Sequence, residues 1–469
     1  MVGVSCDITE RKAAEERLWH AAHQDALTGL PNRALFQRQL ERSLAEAARD
    51  GTSRALLMID LDDFKDVNDT LGHDVGDRLL RLTADRLREG IGSAGTVSRL
   101  GGDEFAIIME VASPAHAEEL GVRLLDDLKR PHESGGQILS GRASIGIAIF
   151  PYHDLKPAEL MKDADIALYR AKAEQKNVSR LYSPALRRAT EERVALRSEI
   201  RRALQDDQFI PFYQPLIALD SGAIAGFEAL ARWAHPTRGL LSPAAFDLAF
   251  EEPALATVLT GRMFDRVVGD MGGWLGAGRA FGRIALNFAA GDFSDPEMAT
   301  RLISLLSAAG IGTDRFKAEV TETVFLGKSS CHADAILRQL DEAGVEVALD
   351  DFGTGYASLV HLKQYPVSQV KIDRTFINQL EISAEDDAIV SAVLELGRAL
   401  RLTTVAEGIE TVGQLRLLRD KGCAFGQGYL FAKPMAASRV PHFIESWERR
   451  RAALLEEPAN NDQIGVVGF

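Results

Sequence analysis

The apolar positions in the first part of the chain fall into short runs typical of strands, and these alternate with longer amphipathic stretches typical of helices. Strands are expected on both sides of Gly101-Gly102 and at 54–60 and 143–150, and helices at 34–48, 74–89, 116–129 and 157–172. This mixture predicts an α/β sandwich over residues 25–182.

Ser183-Pro184 interrupts this pattern, and a charged stretch without Gly or Pro follows it. Because residues 185–205 are dense in Arg and Glu, the segment 183–205 is expected to be a connector helix between two domains. The first 24 residues end in another charged stretch of helix formers, which predicts a signalling helix before the first domain.

Beyond the connector, short apolar strands recur between helical stretches. Eight are expected, at 212–219, 224–230, 283–287, 316–320, 345–349, 369–372, 403–406 and 428–431. Eight strands separated by helices predict a TIM-like (β/α)8 barrel over residues 206–448. Residues 449–469 carry little periodic pattern and are expected to form a flexible tail.

The composition limits the kinds of partner. A formal net charge of -14 disfavours broad binding to nucleic acid, so any nucleotide ligand is expected to be small. No apolar segment approaches the roughly 20 residues that span a bilayer, and no signal peptide is visible, so a cytoplasmic location is expected. Cys6, Cys331 and Cys423 are far apart without metal-type spacing, which argues against disulfides and zinc.

Acidic residues gather at strand ends in the first domain. Gly101-Gly102 predicts a tight hairpin that presents Asp103 and Glu104 at the sheet rim, and Asp60 ends a neighbouring strand. Clustered carboxylates repel one another unless a hard cation neutralises them, and Mg²⁺ prefers a few carboxylates together with phosphates. The pattern therefore predicts a metal site, with an ordinary solvated hairpin tip as the alternative.

Residues around this hairpin suit a guanine nucleotide. Asn68 and Asp77 offer an amide and a carboxylate that match the donors and acceptors of a purine edge. Lys172 and Lys176 are candidates for phosphate contacts. Taken one by one, these residues are equally typical of a solvated surface.

Polar residues also fall at the carboxyl ends of the barrel strands, where such barrels place their active sites. They are Glu228, Asn287, Glu319, Asp350, Asp351, Lys371 and Glu407. So many acids at one mouth predict two divalent metals ~3.5–4 Å apart that activate a shared water, with Lys371 orienting that water or aiding proton transfer. The alternatives are helix salt bridges and, for the glycine-hinged segment 351–356, a simple turn.

The first domain resembles the GGDEF family of diguanylate cyclases over residues 21–182, in the strings DALTGLPNR, MIDLDDFKDVNDTLGHDVGD, RLGGDEF, SIGIA and ALYRAKAEQKN. The resemblance implies a palm-type, cyclase-like sheet in which two GTP-loaded copies face each other as a homodimer and make cyclic di-GMP. It also implies metal ligands at Asp60, Asp103 and Glu104, guanine contacts at Asn68 and Asp77, and phosphate contacts at Lys65, Lys172 and Lys176. Where relatives carry an inhibitory Arg and Asp pair this chain has residues 92–95, Gly-Ser-Ala-Gly, so product inhibition there is not expected.

The second domain is similar to the EAL family of cyclic di-GMP phosphodiesterases over residues 191–448, in FYQPLIALDSGAIAGFEALARW, NFAAGDF, AEVTET, LDDFGTGYASL, VKIDRTFI, VAEGIET and GQGYLFAKP. The resemblance implies Mg²⁺ or Mn²⁺ ligands at Glu228, Asn287, Glu319, Asp350, Asp351 and Glu407. It gives Asp351 a second role in water activation and makes Lys371 the catalytic lysine. It further implies substrate contacts at Gln214, Arg232 and Gln427 and a loop-stabilising role for Glu322.

The opening string GVSCDITERKAAEERL resembles the end of a PAS sensory domain and its signalling helix. Residues 1–24 would then be a sensor tail, with a sensory domain upstream in a longer protein, which could be membrane-attached through segments not in this chain. The sequence predicts hydrolysis of cyclic di-GMP to linear pGpG, because that site is complete within one chain. The alternatives are a bifunctional or net synthase, and a first domain that only binds GTP and regulates the barrel.

Overall fold

The computed structural model describes Trp19 and residues 22–134, 137–325, 330–353, 362 and 364–456. The chain divides into two compact units, with the boundary between Val194 and Ala195. Most of the predicted sensor tail and the chain after Glu456 lie outside the described residues.

The first unit is an α/β sandwich. Its elements are α1 (Arg33–Asp50), β1 (Ser53–Leu61), α2 (Phe64–Leu71), α3 (His73–Ile91), β2 (Gly95–Gly101), β3 (Glu104–Val111), α4 (Pro114–Lys129), β4 (His132–Ser134), β5 (Gln137–Leu139), β6 (Ala143–Phe150), α5 (Pro157–Glu174), β7 (Ser179–Leu181) and α6 (Pro184–Gln205), within which the boundary falls. The main sheet has the order β2-β3-β1-β6-β7, antiparallel except for the β6–β7 pair. The predicted sandwich is confirmed.

The central strand β1 is buried on both faces, which explains its unbroken apolar run. Successive side chains of a strand point to opposite faces, so Leu57 and Ile59 join the core beneath α3 and α4. Leu56 and Met58 join the core on the other face, beneath α1 and α5. Two apolar layers therefore hold β1 in register, and its last residues, among them Asp60, are fixed at the sheet rim.

The hairpin between β2 and β3 forms where the glycine pair predicts it. Gly101 has φ 145° and Gly102 has φ 54°, which are conformations that side-chain-bearing residues rarely adopt. The antiparallel register places Glu104 directly opposite Asp60. The hairpin therefore brings acidic residues from two parts of the sequence to one edge of the sheet.

The second unit is a closed barrel with outer helices. Its elements are β8 (Phe209–Ala218), β9 (Ile224–His235), β10 (Gly239–Leu241), α7 (Leu248–Glu251), α8 (Pro253–Gly276), β11 (Arg283–Phe288), α9 (Met298–Ala308), β12 (Phe316–Thr321), α10 (Ser330–Glu342), β13 (Glu346–Phe352), β14 (Gln369–Ile372), α11 (Arg374–Asn378), α12 (Ala384–Leu400), β15 (Thr403–Ala406), α13 (Val412–Asp420), β16 (Phe425–Gly426), β17 (Met435–Ala436) and α14 (Val440–Glu456). Helix α14 thus continues into the first residues of the predicted tail.

The predicted TIM-like barrel is confirmed, with one strand reversed. Strands β9, β11, β12, β13, β14, β15 and β16 are parallel, and β8 closes the ring by pairing antiparallel with both β9 and β16. The connection between β8 and β9 spans only residues 219–223. Because a parallel crossover needs a dozen or more residues, this short turn makes the pair antiparallel.

The expected eighth strand at Gly428–Phe431 is wrong, because the strand in that place is β16, Phe425–Gly426. The backbone turns immediately afterwards, since the carbonyl oxygen of Gly428 accepts from the N–H groups of Phe431 and Ala432. A Cβ at Gly428 would lie 2.1 Å from the carbonyl oxygen of Ile409, so only glycine fits this turn. None of the helices in the described part of the chain is both long and apolar enough to cross a membrane.

Candidate functional site

The barrel gathers its charged residues around one lysine. The Nζ of Lys371 on β14 lies 2.6 Å from Glu407 Oε1, 2.7 Å from Glu319 Oε2, 3.1 Å from Asp350 Oδ1 and 3.5 Å from Glu228 Oε2. The four acids come from β9, β12 and β13 and from the residue after β15. We call Glu228, Glu319, Asp350 and Glu407 the carboxylate cluster. Lys371 is 1% exposed, so its charge acts on the carboxylate cluster with little screening by solvent.

Two amides donate hydrogen bonds to Glu228. Asn287 Nδ2 donates to Glu228 Oε1 at 2.8 Å, and Gln427 Nε2 donates to Glu228 Oε2 at 2.7 Å. Gln427 Nε2 also lies 3.0 Å from Gln214 Oε1, and Gln214 donates onward to the carbonyl oxygen of Ala432. The residues expected to contact substrate, Gln214 and Gln427, therefore belong to the same hydrogen-bond network as the carboxylate cluster.

Lys371 and Glu228 are charged at neutral pH. Burial alone would lower the pKa of the Lys371 amine, but the surrounding carboxylates raise it well above its usual value. Burial alone would raise the pKa of Glu228, but Lys371 and the amides of Gln427 and Asn287 outweigh burial and lower it. An ammonium and a carboxylate are thus fixed side by side in the buried part of the site.

The pKa values of Glu319, Glu407 and Asp351 are raised above their usual values. Burial raises the pKa of Glu319 well above its ordinary value and raises the pKa of Glu407 to about 8, against the opposing effect of Lys371. Burial, with Asp350 and Asp373 nearby, raises the pKa of Asp351 to about 6. One lysine is therefore too little positive charge for this group of acids.

The arrangement of these acids fits divalent cations. Glu228, Glu319 and Asp350 form one group whose ligand oxygens all lie within 4.8 Å of one another, and Asp350, Asp351 and Glu407 form a second. Asp350 is common to both groups, so two ions held here would share this residue. Carboxylate oxygens are the ligands that Mg²⁺ and Mn²⁺ prefer, so the residues present fit the predicted pair of metals.

Asp351 stands at a strained point of the backbone. Its φ is 55°, uncommon for a residue with a side chain, and its N–H donates to Asp350 Oδ1 at 3.0 Å. The predicted hinge at 351–356 continues into residues 354–356, which lie outside the described residues. Glu322 is 7% exposed, and within the described part of the chain neither of its carboxylate oxygens has a hydrogen-bond partner. Its loop-stabilising role stays a prediction.

Arg232 lies on β9 four residues after Glu228, and residues spaced by even numbers share one face of a strand. Its guanidinium carbon is 5.9 Å from the ring centroid of Phe212, and its Nη1 donates to the carbonyl oxygen of Ala231 at 2.8 Å. Burial lowers the pKa of Arg232. Its role as a substrate contact stays a prediction.

In the first unit, the predicted site residues come together less closely than those of the barrel. Lys172 Nζ lies 2.6 Å from Asp60 Oδ1, while Arg33 Nη2 lies 3.1 Å from Glu104 Oε2. Burial raises the pKa of Asp60, and Asp103 and Glu104 add to this effect against Lys172. Among the described residues, Asp60, Asp103 and Glu104 do not form a group of three within 4.8 Å. Their role as metal ligands stays a prediction.

The predicted nucleotide contacts surround this edge of the sheet. Lys176 Nζ pairs with Asp63 Oδ1 at 2.6 Å, and both residues have positive φ. A Cβ at Gly76, next to Asp77, would lie 1.9 Å from Asn68 Oδ1, so Asn68 packs directly against the start of α3. Lys65 is exposed on α2.

Sequence reasoning missed two residues that support these sites. Asp62 accepts hydrogen bonds from the Ser144 hydroxyl and from the Asn177 N–H, both at 2.8 Å. It therefore connects the residue after β1 to β6 and to the segment just before β7. Asp373 shares a hydrogen bond with Asp351 and adds to its raised pKa. Asp62 lies two residues after Asp60, and Asp373 lies two residues after Lys371. This spacing from a predicted site residue is the sequence signal that could have identified both.

Comparison with known proteins agrees with this geometry. The family model for the diguanylate cyclase GGDEF domain matches residues 22–178, and the model for the EAL domain matches residues 197–434. The chain belongs to the GGDEF–EAL family. Its first unit is therefore a GGDEF domain and its second an EAL domain, while the PAS resemblance of the opening residues stays a prediction.

Two relatives come from Pseudomonas aeruginosa. The chain is 38% identical over 432 residues to the bifunctional diguanylate cyclase/cyclic di-GMP phosphodiesterase MucR, covering 92% of this chain and 63% of MucR. It is 35% identical over 435 residues to the cyclic di-GMP phosphodiesterase NbdA, covering 92% of this chain and 55% of NbdA. The chain thus spans between about half and just under two thirds of the length of these relatives.

A solved structure shares the fold of both domains. Vibrio cholerae LapD, as an S helix-GGDEF-EAL chain bound to c-di-GMP, has a TM-score of 0.54 and 19% identity, covering 90% of this chain and 99% of that one. At this identity the likeness supports the fold and not the activity.

Proposed function

We propose that the EAL domain is a phosphodiesterase that hydrolyses cyclic di-GMP to linear pGpG with Mg²⁺ or Mn²⁺. The main observation behind the proposal is that the Nζ of Lys371 lies within 3.5 Å of four carboxylates at one end of the barrel. Cyclic di-GMP is the substrate named for the relatives MucR and NbdA.

The proposed site contains residues that would hold the metal ions and residues that would orient the substrate. Two divalent ions, held by the carboxylate cluster with Asn287 and Asp351, would activate a water and neutralise charge on the phosphate. Lys371 holds the acids together and keeps a proton donor within reach of that water. Gln214, Gln427 and Arg232 supply polar contacts that orient the substrate phosphates and sugars.

The test follows cyclic di-GMP and pGpG by chromatography after incubation with Mg²⁺ or Mn²⁺. The wild-type chain should form pGpG, a chelator should stop the reaction, and Glu228→Gln should abolish it, because the amide removes an anionic ligand while conserving shape. Glu445→Gln is a matched control, since Glu445 pairs with Arg279 on the outside of the barrel. Near-normal hydrolysis by Glu228→Gln would contradict the proposal.

A second activity is supported by the GGDEF domain. The hairpin register sets Glu104 opposite Asp60 at the edge where Lys172 and Lys176 lie, and MucR is named as bifunctional. The GGDEF domain would then bind GTP, and two copies in a homodimer would make cyclic di-GMP. Incubating Glu228→Gln with GTP and Mg²⁺ tests this activity, because any product accumulates when hydrolysis is blocked. If GTP binds and no product forms, the domain is regulatory only.

A further inference from the structure

The interior of the barrel contains an open space directly beneath the carboxylate cluster. A cavity of about 140 Å³, which we call the barrel chamber, is lined at one end by Glu228, Glu319 and Gln427, and at the other by Arg283, Glu346 and Thr403. Barrels of this kind are ordinarily filled by layers of bulky side chains. An open chamber in this position therefore differs from the usual packed interior of such a barrel.

Small residues on two neighbouring strands leave the space. Ala285 on β11 lies in register with Glu228 on one side and with Lys317 on the other, so its methyl group occupies a position where a larger side chain would fill the chamber. Gly226 precedes this position on β9, and a Cβ there would lie 2.1 Å from the carbonyl oxygen of Arg283. The close approach of the two strands thus excludes a side chain from that part of the wall.

Part of the chamber wall is polar, although Leu216, Phe227 and Phe425 also line it. Lys317 is 4% exposed, and its Nζ donates to Gln369 Oε1 at 2.6 Å and lies 3.2 Å from Glu346 Oε2. Gln369 in turn donates to the Thr403 hydroxyl at 3.4 Å. Internal cavities with several polar partners hold ordered water, whereas purely apolar cavities stay dry. The polar part of the chamber therefore offers several hydrogen-bond partners to ordered water.

The two ends of the chamber face different surroundings. Arg283, Glu346 and Thr403 are the first residues of β11, β13 and β15. Arg283 and Thr403 are exposed and Glu346 is half-buried, so this end reaches solvent on the side of the barrel opposite the active site. The other end is bounded by the carboxylate cluster. The chamber thus spans the distance between solvent and the candidate metal ligands.

We propose that the barrel chamber is a water route through the EAL domain, which exchanges water and protons between the carboxylate cluster and the amino-terminal end of the barrel. A substrate as large as cyclic di-GMP covers the mouth at the carboxyl ends of the strands, so a second route allows the hydrolytic water to be replaced while the mouth is closed. The use of the route in turnover rests on the proposed phosphodiesterase function. The existence of the route does not.

The first experiment measures access to the chamber without any ligand. Ala285→Cys places a thiol in the wall, and Ala318→Cys is the control, because Ala318 is fully buried on the opposite face of β12 between Lys317 and Glu319. Methyl methanethiosulfonate is small and neutral, and mass mapping of peptides separates the new thiol from the native cysteines. The thiol of Ala285→Cys should react about 100-fold faster than the thiol of Ala318→Cys, since the control requires local opening. Equal rates would overturn the chamber.

The second experiment closes the solvent end. Thr403→Trp, combined with Ala285→Cys, should slow labelling to the rate of the buried control, and Thr403→Met replaces it if the tryptophan variant does not fold. Labelling that is unchanged by either substitution would show that the reagent enters by another way and would overturn the route.

The third experiment asks whether turnover uses the route. Thr403→Trp should lower kcat for cyclic di-GMP while KM and the Mn²⁺ affinity measured by electron paramagnetic resonance stay unchanged, because Thr403 touches neither the substrate nor the metal ligands. An unchanged kcat in a variant that blocks labelling would overturn the role in turnover. If the wild-type chain hydrolyses no cyclic di-GMP, the phosphodiesterase proposal fails and the labelling results still decide the chamber.

Discussion

Lys371 Nζ and Glu319 Oε2 are 2.7 Å apart, although their strands, β14 and β12, are separated by β13. The contact crosses the barrel interior above Ala348, which lies in register with both Glu319 and Gln369 and is small enough to leave the path open. The ion pair therefore depends on a small residue in the intervening strand.

This dependence leads to a prediction for Lys371→Met. Removing the ammonium leaves several carboxylates buried without a partner, and breaking a buried ion pair in this way costs about 3–5 kcal/mol. The melting temperature of the EAL domain should fall in the presence of a chelator and recover when Mn²⁺ is added, because the metal replaces the missing charge. Lys421→Met, which breaks the partly exposed pair with Asp387, is the matched control and should show little change. A metal-independent loss in Lys371→Met would contradict the explanation.

Metal binding should release protons from the cluster. The raised pKa of Glu407, about 8, means that this carboxyl carries a proton at neutral pH before the metal binds, and a ligand must lose it. The affinity for Mg²⁺ or Mn²⁺ should consequently weaken as the pH falls below about 8 and level off above it. Calorimetry in buffers of different ionisation enthalpy measures the released protons directly. Glu407→Gln should release fewer protons, and an equal number in the two proteins would refute the assignment.

The same raised pKa has a consequence for stability. A group whose pKa is higher in the folded state stabilises the fold at low pH and loses that contribution as the pH rises through the folded value. The metal-free EAL domain should therefore lose stability between about pH 4.5 and 8 through Glu407, and the loss should disappear with saturating metal.

Sequence patterns were sufficient to predict an element where a local sequence signal and the burial of that element agree. The apolar run of β1 and the Gly101-Gly102 turn were predicted correctly because strand period and glycine conformation are local properties. The predicted acids of the barrel meet around Lys371 because parallel strands end at one edge. The reversal of β8 follows from the short turn at residues 219–223, a local signal that the prediction of a regular (β/α)8 barrel did not use. The misplaced eighth strand depends on the approach of Gly428 to Ile409, which no local pattern encodes. The barrel chamber likewise arises from the register of residues that are distant in sequence.

The packing of the GGDEF domain can be tested at one glycine. A Cβ at Gly146 on β6 would lie 2.1 Å from the carbonyl oxygen of Ala164 and 2.2 Å from the N of Leu168, both backbone atoms of α5. Gly146→Ala should push α5 off the sheet and lower the melting temperature of this domain, since overpacking of a core typically costs about 1–3 kcal/mol. Gly141→Ala, whose Cβ would have no atom closer than 3.5 Å, is the control. Equal melting temperatures for the two variants would contradict the close packing.

The acids of the hairpin are expected to be required for synthesis. In the Glu228→Gln background, Asp103→Ala with Glu104→Ala should eliminate conversion of GTP to cyclic di-GMP, because the ions that neutralise the transferred phosphate lose two carboxylates. Glu110→Ala is a matched control, since Glu110 lies on the same strand and pairs with Arg54 away from the hairpin tip. Chromatography of the reaction products gives the measurement. Synthesis that survives the double substitution would exclude the predicted cyclase site.

GTP is expected to raise the phosphodiesterase activity through the GGDEF domain. Helix α6 runs without interruption from Pro184 to Gln205 and contains the boundary between the two units, so it belongs to both. Arg187 on this helix pairs with the buried Asp163 of the GGDEF domain at 2.6 Å, and Glu199 pairs with His235 at the end of β9, the strand that carries Glu228. A ligand shifts a conformational equilibrium of a protein only if it binds the two conformations with different affinity. A helix that belongs to both domains can transmit such a shift from one domain to the other.

The measurement compares initial rates of pGpG formation with and without saturating GTP, in the Asp103→Ala, Glu104→Ala background that blocks synthesis. GTP should increase the rate by about 5- to 150-fold if the coupling energy has the usual size. Adding Asn68→Ala and Asp77→Ala should weaken GTP binding and remove the activation, while basal hydrolysis stays unchanged because both residues lie in the other domain. ATP serves as the ligand control, since the predicted contacts of Asn68 and Asp77 are specific for guanine. Identical rates with and without GTP, under conditions where GTP binding is measured, would show that the GGDEF domain does not regulate hydrolysis.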